Sequence, residues 1–269
     1  MVSGGGNVST FVIGDIHGCY GEFMQMLDKI ALSDGDRLLL VGDYIDRGPD
    51  SLKMLHWLEH CPANVMPVRG NHDEEFAAYV AALHQVDEKW ELDTQPDSHD
   101  DAAALYDTAK YLFKSSGLNA AAFFDLYGTL GRLIQTPEVT LHDLDRWAEM
   151  IRGMPYFAEL SVNGRRCVVV HAGYQDESFA SEEDAVDYYL YAREESLTGG
   201  IRHGTVIAGH TPTVLTDEFA YHGGKAFRFY DAQKDCVFYD IDCGCVFRNK
   251  YPDARLACLR VEDEKLFYV

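Results

Sequence analysis

Basic residues are scarce in this sequence, and they do not cluster. The 269 residues include 23 Lys and Arg against 44 Asp and Glu, which gives a formal net charge of −21. A protein surface of this charge repels polyanions, and no stretch of the chain carries a long run of Lys or Arg. The composition therefore argues against a nucleic-acid partner.

Long apolar runs and a disulfide framework are also missing. No stretch approaches the roughly 20 consecutive apolar residues that a membrane helix requires, and the first residues include no basic segment of the signal-peptide type. The seven cysteines are scattered and odd in number, which is typical of reduced thiols. Hydrophobic residues make up 47% of the chain, enough for a large core. We therefore expect a cytoplasmic protein without membrane contact.

Apolar runs of strand length recur along the chain, and the first three alternate with helical patterns. Predicted strands cover residues 10–15, 37–43, 64–71, 166–173, 204–210, 236–242 and 254–261. The intervening segments GEFMQMLDKIAL and DSLKMLHWLEHC have apolar residues at three- and four-residue spacing, as helices do. This alternation predicts an α/β fold with right-handed crossovers and a parallel sheet. The closer spacing of the later strands predicts a second, mixed sheet.

Residues 76–155 interrupt this pattern. They contain no strand-like run, have a helix-forming sequence and include the acidic stretch DTQPDSHDDAA. We predict a single domain over residues 8–269, within which residues 76–155 form a helical insertion or cap.

Five apolar runs end in the same kind of polar sequence. These ends are GDIHG (14–18), GDYIDRG (42–48), GNHD (70–73), HAG (171–173) and GHTPT (209–213). Because strand carboxyl ends meet at one crevice in an open α/β sheet, we expect six side chains in a single pocket: Asp15, His17, Asp43, Asn71, His171 and His210. These carboxylate, imidazole and amide donors predict a site for two divalent metal ions. The lack of cysteine ligands favours Mn, with Fe or Zn as alternatives.

The order GDIHG…GDYIDRG…RGNHD…HAG…GHT resembles the calcineurin-like metallophosphoesterases, in particular their phosphoprotein-phosphatase branch, from residue 14 to about residue 215. The resemblance implies an αββα sandwich, in which two mixed β-sheets are flanked by helices. It also implies two groups of metal ligands that share Asp43. The first group is Asp15, His17 and Asp43, and the second is Asp43, Asn71, His171 and His210.

The resemblance further assigns the residues that act on the phosphoryl group. His72 matches the general acid, Asp46 the carboxylate that orients it, and Arg47 a phosphate-binding arginine. Arg193, in LYAREES, is similar to a second phosphate arginine of bacterial and phage members. Two metal ions about 3.5–4 Å apart would hold a bridging hydroxide that attacks phosphorus. The arginines would clamp the phosphoryl oxygens with forked bonds, and His72 would protonate the leaving oxygen.

Three functions remain open at this point. The main prediction is hydrolysis of phosphomonoesters, on phosphoserine and phosphothreonine of proteins or on a related small phosphoester. The alternative is a symmetrical dinucleoside tetraphosphate hydrolase, because GNHD is found in that sister group, whereas many protein phosphatases have Glu at the position of Asp73. The third function is a non-catalytic scaffold that binds partners through residues 76–155. The presence of every proposed ligand and acid–base residue argues against the scaffold.

Overall fold

The computed structural model describes residues 8–90, 94–115 and 128–269. Within these ranges the strands are β1 (Thr10–Ile13), β2 (Arg37–Leu40), β3 (Val65–Pro67), β4 (Phe157–Val162), β5 (Arg165–Val170), β6 (Gly204–Ala208), β7 (Phe227–Asp231), β8 (Cys236–Asp240), β9 (Ala257–Arg260) and β10 (Lys265–Tyr268). The helices are α1 (Tyr20–Ile30), α2 (Ser51–Glu59), α3 (Asn71–Trp90), α4 (His99–Ser115), α5 (Thr129–Ile134), α6 (Leu141–Arg152) and α7 (Glu182–Tyr191). No helix in these ranges is both long and apolar enough to span a membrane.

The strands form two five-stranded mixed sheets. The first has the order β10-β9-β1-β2-β3, and its β1, β2 and β3 are parallel, as the strand–helix alternation predicts. The second has the order β4-β5-β6-β8-β7, in which β5, β6 and β8 are parallel. The remaining strands pair antiparallel with their neighbours.

The two sheets pack face to face, and helices cover their outer faces. Alternate residues of a strand point to opposite faces, so β1 contributes to two different hydrophobic clusters. Val12 packs between the sheets with residues such as Ile207, whereas Phe11 and Ile13 pack with the buried faces of the helices on the outer side of the first sheet. Val168 and Val206 face outward from the second sheet, where Tyr189 of α7 packs against them. The predicted αββα sandwich is therefore confirmed.

The seven predicted strands are all present but shorter than expected, because their polar ends lie in loops. The three strands that the sequence analysis missed are β4, β7 and β10, and each lies at the edge of its sheet. Edge strands bury little of their surface: β7 and β10 contain no fully buried residue. They therefore lack the continuous apolar run that identifies a central strand.

Where the structure describes residues 76–155, they form helices joined by turns and share the core of the first sheet. Phe76 and Val80 of α3 and Trp147 of α6 are buried in the same hydrophobic cluster as Phe11 and Ile13. The predicted boundary at residue 76 lies inside α3, which begins at Asn71. That the segment is an insertion or cap stays a prediction.

Candidate metal centre

Each of the six proposed metal ligands follows a strand or begins a helix at the same edge of the sandwich. Asp15 and His17 follow β1, Asp43 follows β2, and Asn71 opens α3 just beyond β3. The second sheet contributes the ligands that follow β5 and β6, namely His171 and His210. The pocket is therefore formed by loops of both sheets, as expected where strand carboxyl ends meet.

His17 and His171 each direct an imidazole lone pair into this pocket. The Nδ1–H of His171 donates to the carbonyl oxygen of Val41, and the Nδ1–H of His17 donates to the carbonyl oxygen of Ile45, each at a distance of 3.0 Å. Burial lowers the pKa of both rings, to about 3 for His17, so both are neutral at neutral pH. With Nδ1 protonated, Nε2 of each ring is a bare acceptor of the kind that binds a metal ion.

Acceptor atoms crowd together around His171. Its Nε2 lies 2.9 Å from Oδ1 of Asn71, 3.2 Å from Nδ1 of His210 and 3.6 Å from Oδ1 of Asp43. A proton on Nδ1 of His210 would relieve only part of this crowding, since the facing atoms Nε2 of His171 and Oδ1 of Asn71 are both acceptors. A cation among these four atoms would convert mutual repulsion into coordination. The donor set therefore fits a divalent metal ion.

Asp43 lies between this group and a second one. Its Oδ2 is 3.4 Å from Nε2 of His17, while its Oδ1 faces His171. Asp15 lies close to Asp43 and His171, and its carboxylate accepts the backbone N–H of His210 at 3.2 Å. Ligand atoms of His17, Asp43 and His72, and likewise those of Asp15, Asp43 and His171, lie within 4.8 Å of one another. Asp43 thus belongs to both clusters, although Asp15 lies with His171 here and not with His17 as predicted; the sharing of Asp43 by two ions stays a prediction.

Carboxylates concentrate negative charge beside these ligands. Burial, followed by repulsion from Asp242 and Asp43, raises the pKa of Asp15 well above its usual range. Burial alone would also raise the pKa of Asp43, but the surrounding imidazoles, led by His171 and His17, hold it below its usual range. Bound cations would offset the cost of burying these carboxylates together.

The loops that carry the ligands adopt strained conformations. Five residues of the site other than glycine have positive φ angles: His17 (46°), Asp43 (52°), Asp46 (74°), Arg47 (62°) and His210 (71°). Each such residue costs of order 1–3 kcal/mol and persists only where its surroundings fix it. Close approach also requires glycine at two positions, because a methyl group at Gly209 would overlap the carboxylate of Asp15, and one at Gly70 would overlap Asp43. Strained residues cluster at functional sites, so this concentration supports the choice of this edge as the candidate site.

Asp73 holds the loop after β2 in this strained form. It is fully buried, and its carboxylate accepts three backbone N–H groups, those of Asp43 (2.8 Å), Tyr44 (3.1 Å) and Gly70 (3.0 Å). Asp73, the position at which GNHD differs from motifs that end in Glu, therefore has no exposed surface with which to contact a substrate. Asp73 acts on the site by holding the backbone of Asp43, whose N–H it accepts.

Replacing Asp73 by alanine should destabilise the fold. The substitution leaves three buried N–H groups without an acceptor, and each unsatisfied group costs about 1–3 kcal/mol. We expect the free energy of unfolding, measured by urea titration, to fall by about 3 kcal/mol or more. Asp34→Ala, at an exposed carboxylate, is the matched control and should change stability by less than about 0.5 kcal/mol. Equal, small effects of the two substitutions would contradict this role of Asp73.

His72, Asp46 and Arg47 form a hydrogen-bonded chain at the rim of the pocket. Nδ1–H of His72 donates to Oδ2 of Asp46 at 2.7 Å, and Nη2 of Arg47 donates to Nε2 of His72 at 2.7 Å. Burial opposes protonation of His72, but the hydrogen bond to Asp46 raises its pKa above the ordinary value of 6.5. Burial likewise opposes ionisation of Asp46, yet its bond with His72 lowers the pKa of Asp46 to about 2. In this arrangement Nδ1 of His72 carries a proton and Nε2 accepts from Arg47, so a proton donated from Nε2 requires Arg47 to turn away from the ring.

Arg47 also donates from Nη1 to Nε2 of His17 at 2.9 Å. Its guanidinium therefore reaches from a proposed metal ligand to the proposed general acid. A cation bound at His17 would occupy this nitrogen and release the donor of Arg47 for an anionic substrate.

Arg193 is less closely associated with the pocket than the sequence predicts. Its Nη1 donates to Glu218 at 2.9 Å, and its side chain is 45% exposed. Among the described residues it forms no hydrogen bond or ion pair with a proposed metal ligand, although its charge acts at longer range on His210 and Asp242. A role in phosphate binding would require Arg193 to exchange Glu218 for the substrate.

Two sets of residues near the site were not predicted. Asp240 and Asp242 are buried beside Asp15. Oδ1 of Asp240 accepts the backbone N–H of Asp242, and Oδ1 of Asp242 accepts the backbone N–H of Gly244, both at 2.9 Å. The sequence DIDCG, with two carboxylates at the end of a strand, was the available signal. Thr129 and Arg132 of α5 approach Asp46, at 3.4 Å and 3.7 Å, and no local motif identifies them.

The two-sheet sandwich with ligand-bearing loops at one edge is the metallophosphoesterase fold. The sequence profile of the calcineurin-like phosphoesterases matches residues 8–214, and the chain belongs to this family. It is similar to the symmetrical bis(5'-nucleosyl)-tetraphosphatase of Buchnera aphidicola subsp. Baizongia pistaciae, with 38% identity over 100 residues. That match covers 37% of this chain and 36% of the relative, so it spans about a third of the curated protein.

Two solved structures share the fold over almost the whole chain. One, whose assignment as a diadenosine tetraphosphatase is itself provisional, has a TM-score of 0.53 and 19% identity, and the match covers 98% of this chain and 94% of that one. The other is a protein serine/threonine phosphatase from Saccharomyces cerevisiae, with a TM-score of 0.50 and 12% identity over 98% of this chain and 79% of that one. At these identities the two matches support the fold alone.

Proposed function

We propose that this chain hydrolyses dinucleoside tetraphosphates at the central phosphoanhydride bond. The observation that carries this proposal is the similarity to curated relatives named as symmetrical bis(5'-nucleosyl)-tetraphosphatases. It favours the alternative of the sequence analysis over its main prediction, a phosphoserine/phosphothreonine phosphatase. The motif GNHD, with Asp73 in the last position, agrees with this choice. The names of these relatives also favour an enzyme over a scaffold.

Six residues would hold two divalent ions: Asp15, His17, Asp43, Asn71, His171 and His210. Mn²⁺ is the metal we favour, with Fe or Zn as alternatives, because all six donors are oxygen or nitrogen atoms. The bound ions would supply a water nucleophile at neutral pH and polarise the phosphoryl oxygens. They would also give an acidic protein the local positive charge that a polyphosphate requires.

The remaining roles belong to residues at the rim. Arg47 and Arg193 would hold phosphoryl oxygens through forked, charge-assisted hydrogen bonds. Once Arg47 has turned from Nε2 of His72 to the substrate, a protonated His72 would donate from Nε2 to the leaving oxygen, and Asp46 would fix the ring orientation through the bond at Nδ1. Residues 76–155 would cover one side of the crevice, a role supported by the contact of Thr129 with Asp46 at 3.4 Å.

The products of hydrolysis test this function directly. Diadenosine tetraphosphate and one water give two ADP when the central bridge is cleaved, whereas cleavage nearer one end gives ATP and AMP. The Mn-loaded protein should yield ADP alone when its products are separated by ion-exchange chromatography. A phosphoserine peptide should be a much poorer substrate under the same conditions. Rapid peptide dephosphorylation without turnover of the dinucleotide would restore the protein-phosphatase function.

A further inference from the structure

A second arginine lies at the far end of the His72–Asp46 pair. Arg132 belongs to the short helix α5, which is anchored in the core by Leu130, Leu133 and Ile134. Its Nη2 lies 3.7 Å from Oδ1 of Asp46, while Arg47 contacts the pair at Nε2 of His72. Two guanidinium groups therefore lie at opposite ends of one hydrogen-bonded chain.

Arg132 retains most of its hydrogen-bonding capacity. A separation of 3.7 Å is too long for a hydrogen bond, and the acceptors of Asp46 are already engaged by His72 (2.7 Å) and Thr129 (3.4 Å). Nη2 of Arg132 is buried and has no hydrogen-bond partner in the described part of the chain. The side chain as a whole is 37% exposed, whereas Nη2 is buried, so a ligand would reach this donor once the guanidinium turns outward from Asp46. This donor has only the ion pair with Asp46 at 3.7 Å, so it is available to a further acceptor, which water or a bound ligand can supply.

The position of Arg132 selects the chemistry of that acceptor. His72 defines the side of the pocket from which the leaving group departs. When the central bridge of a dinucleoside tetraphosphate breaks, the leaving group is a nucleoside diphosphate, which carries phosphoryl oxygens beyond the reacting atom. The leaving alkoxide of a phosphoserine, or a nitrophenolate, has no such oxygens. A guanidinium with free donors binds phosphate in a forked geometry and so distinguishes the two classes of substrate.

We propose that Arg132 binds the phosphate chain of the leaving nucleotide and thereby selects polyphosphate over phosphomonoester substrates. This inference rests on the proposed function, since it names the residue that gives the same site its preference. The competing role is structural, in which Arg132 only stabilises the negative charge of Asp46. A structural role acts through His72 and affects every substrate that needs the same proton.

Paired kinetics on Arg132→Gln separate these roles. We expect the ratio of kcat/KM for diadenosine tetraphosphate to kcat/KM for p-nitrophenyl phosphate to fall on the order of 10- to 100-fold, the range for one hydrogen bond to a charged group. Arg132→Lys keeps the charge without the fork and should lose less. Arg146→Gln is the matched control, because Arg146 is 44% exposed and pairs with Glu59 and Asp143 away from the pocket. The control should leave the ratio unchanged.

Binding of a methylene-bridged, non-hydrolysable analogue of diadenosine tetraphosphate gives a second readout by calorimetry. We expect its Kd to rise about tenfold or more in Arg132→Gln and to stay unchanged in Arg146→Gln. An unchanged Kd together with an equal loss on both substrates would overturn the inference and assign Arg132 to the support of Asp46. If the wild type hydrolyses no diadenosine tetraphosphate, the proposed function fails, and the binding comparison alone decides the role of Arg132.

Discussion

Replacing His72 by alanine should slow hydrolysis by about 10²–10⁴-fold when the leaving oxygen is strongly basic. The proton held by the His72–Asp46 pair matters most for such a leaving group, because it departs poorly as an anion. Phenyl phosphate and p-nitrophenyl phosphate make a suitable pair of substrates, since phenolate is much more basic than nitrophenolate. We expect a large loss of kcat on phenyl phosphate and a much smaller one on p-nitrophenyl phosphate, with bound metal unchanged.

Asp46→Asn should show the same asymmetry in a milder form, because Asp46 orients and charges the imidazole without transferring the proton itself. Uniform losses on both aryl phosphates would remove the general-acid role from His72. The hydrogen bond at 2.7 Å between the two side chains would then serve only to position the ring.

Asp43→Asn should have the second large effect, through the metal ions. The two carboxylate oxygens of Asp43 face His17 at 3.4 Å and His171 at 3.6 Å, so this residue belongs to both proposed ligand groups. An amide keeps the shape of the side chain but lacks its negative charge. Since substitutions outside the ligand shell already cost about 10–100-fold in metal affinity or activity, we expect a loss of more than about 100-fold in activity here.

The metal content of the Asp43→Asn variant distinguishes a shared ligand from a ligand of one ion. A shared ligand predicts that affinity falls at both sites, as measured by competition with a chromophoric chelator. Asp34→Asn, at an exposed carboxylate, is the control for a change of charge alone. Retention of one ion with wild-type affinity would restrict Asp43 to a single site.

The central strands and their polar ends could be predicted from the sequence because both signals are local. A strand buried on both faces is a continuous apolar run, and the loop after it must carry any residue that reaches the crevice. Asp15, Asn71 and His171 are distant in the chain, yet each follows such a run, and the structure brings Asp15 and Asn71 close to His171.

The missed features depend on tertiary contacts instead. The edge strands β4, β7 and β10 are only partly buried, so their hydrophobic pattern is weak. Arg132 lies 86 positions after Asp46 and meets it only because the core positions α5 against the loop after β2. Asp73 is an acidic residue in a polar motif, and only its complete burial reveals that it supports the backbone rather than a ligand. Long-range packing of this kind leaves no trace in local periodicity.

The number of metal ions bound by the wild-type protein tests the central claim most directly. The protein is loaded with Mn²⁺, freed of excess metal by gel filtration and analysed by inductively coupled plasma mass spectrometry against protein concentration from amino-acid analysis. The two ligand groups that share Asp43 predict two equivalents of metal per chain. One equivalent, or none, would contradict a binuclear centre and with it the hydrolytic function proposed for this fold.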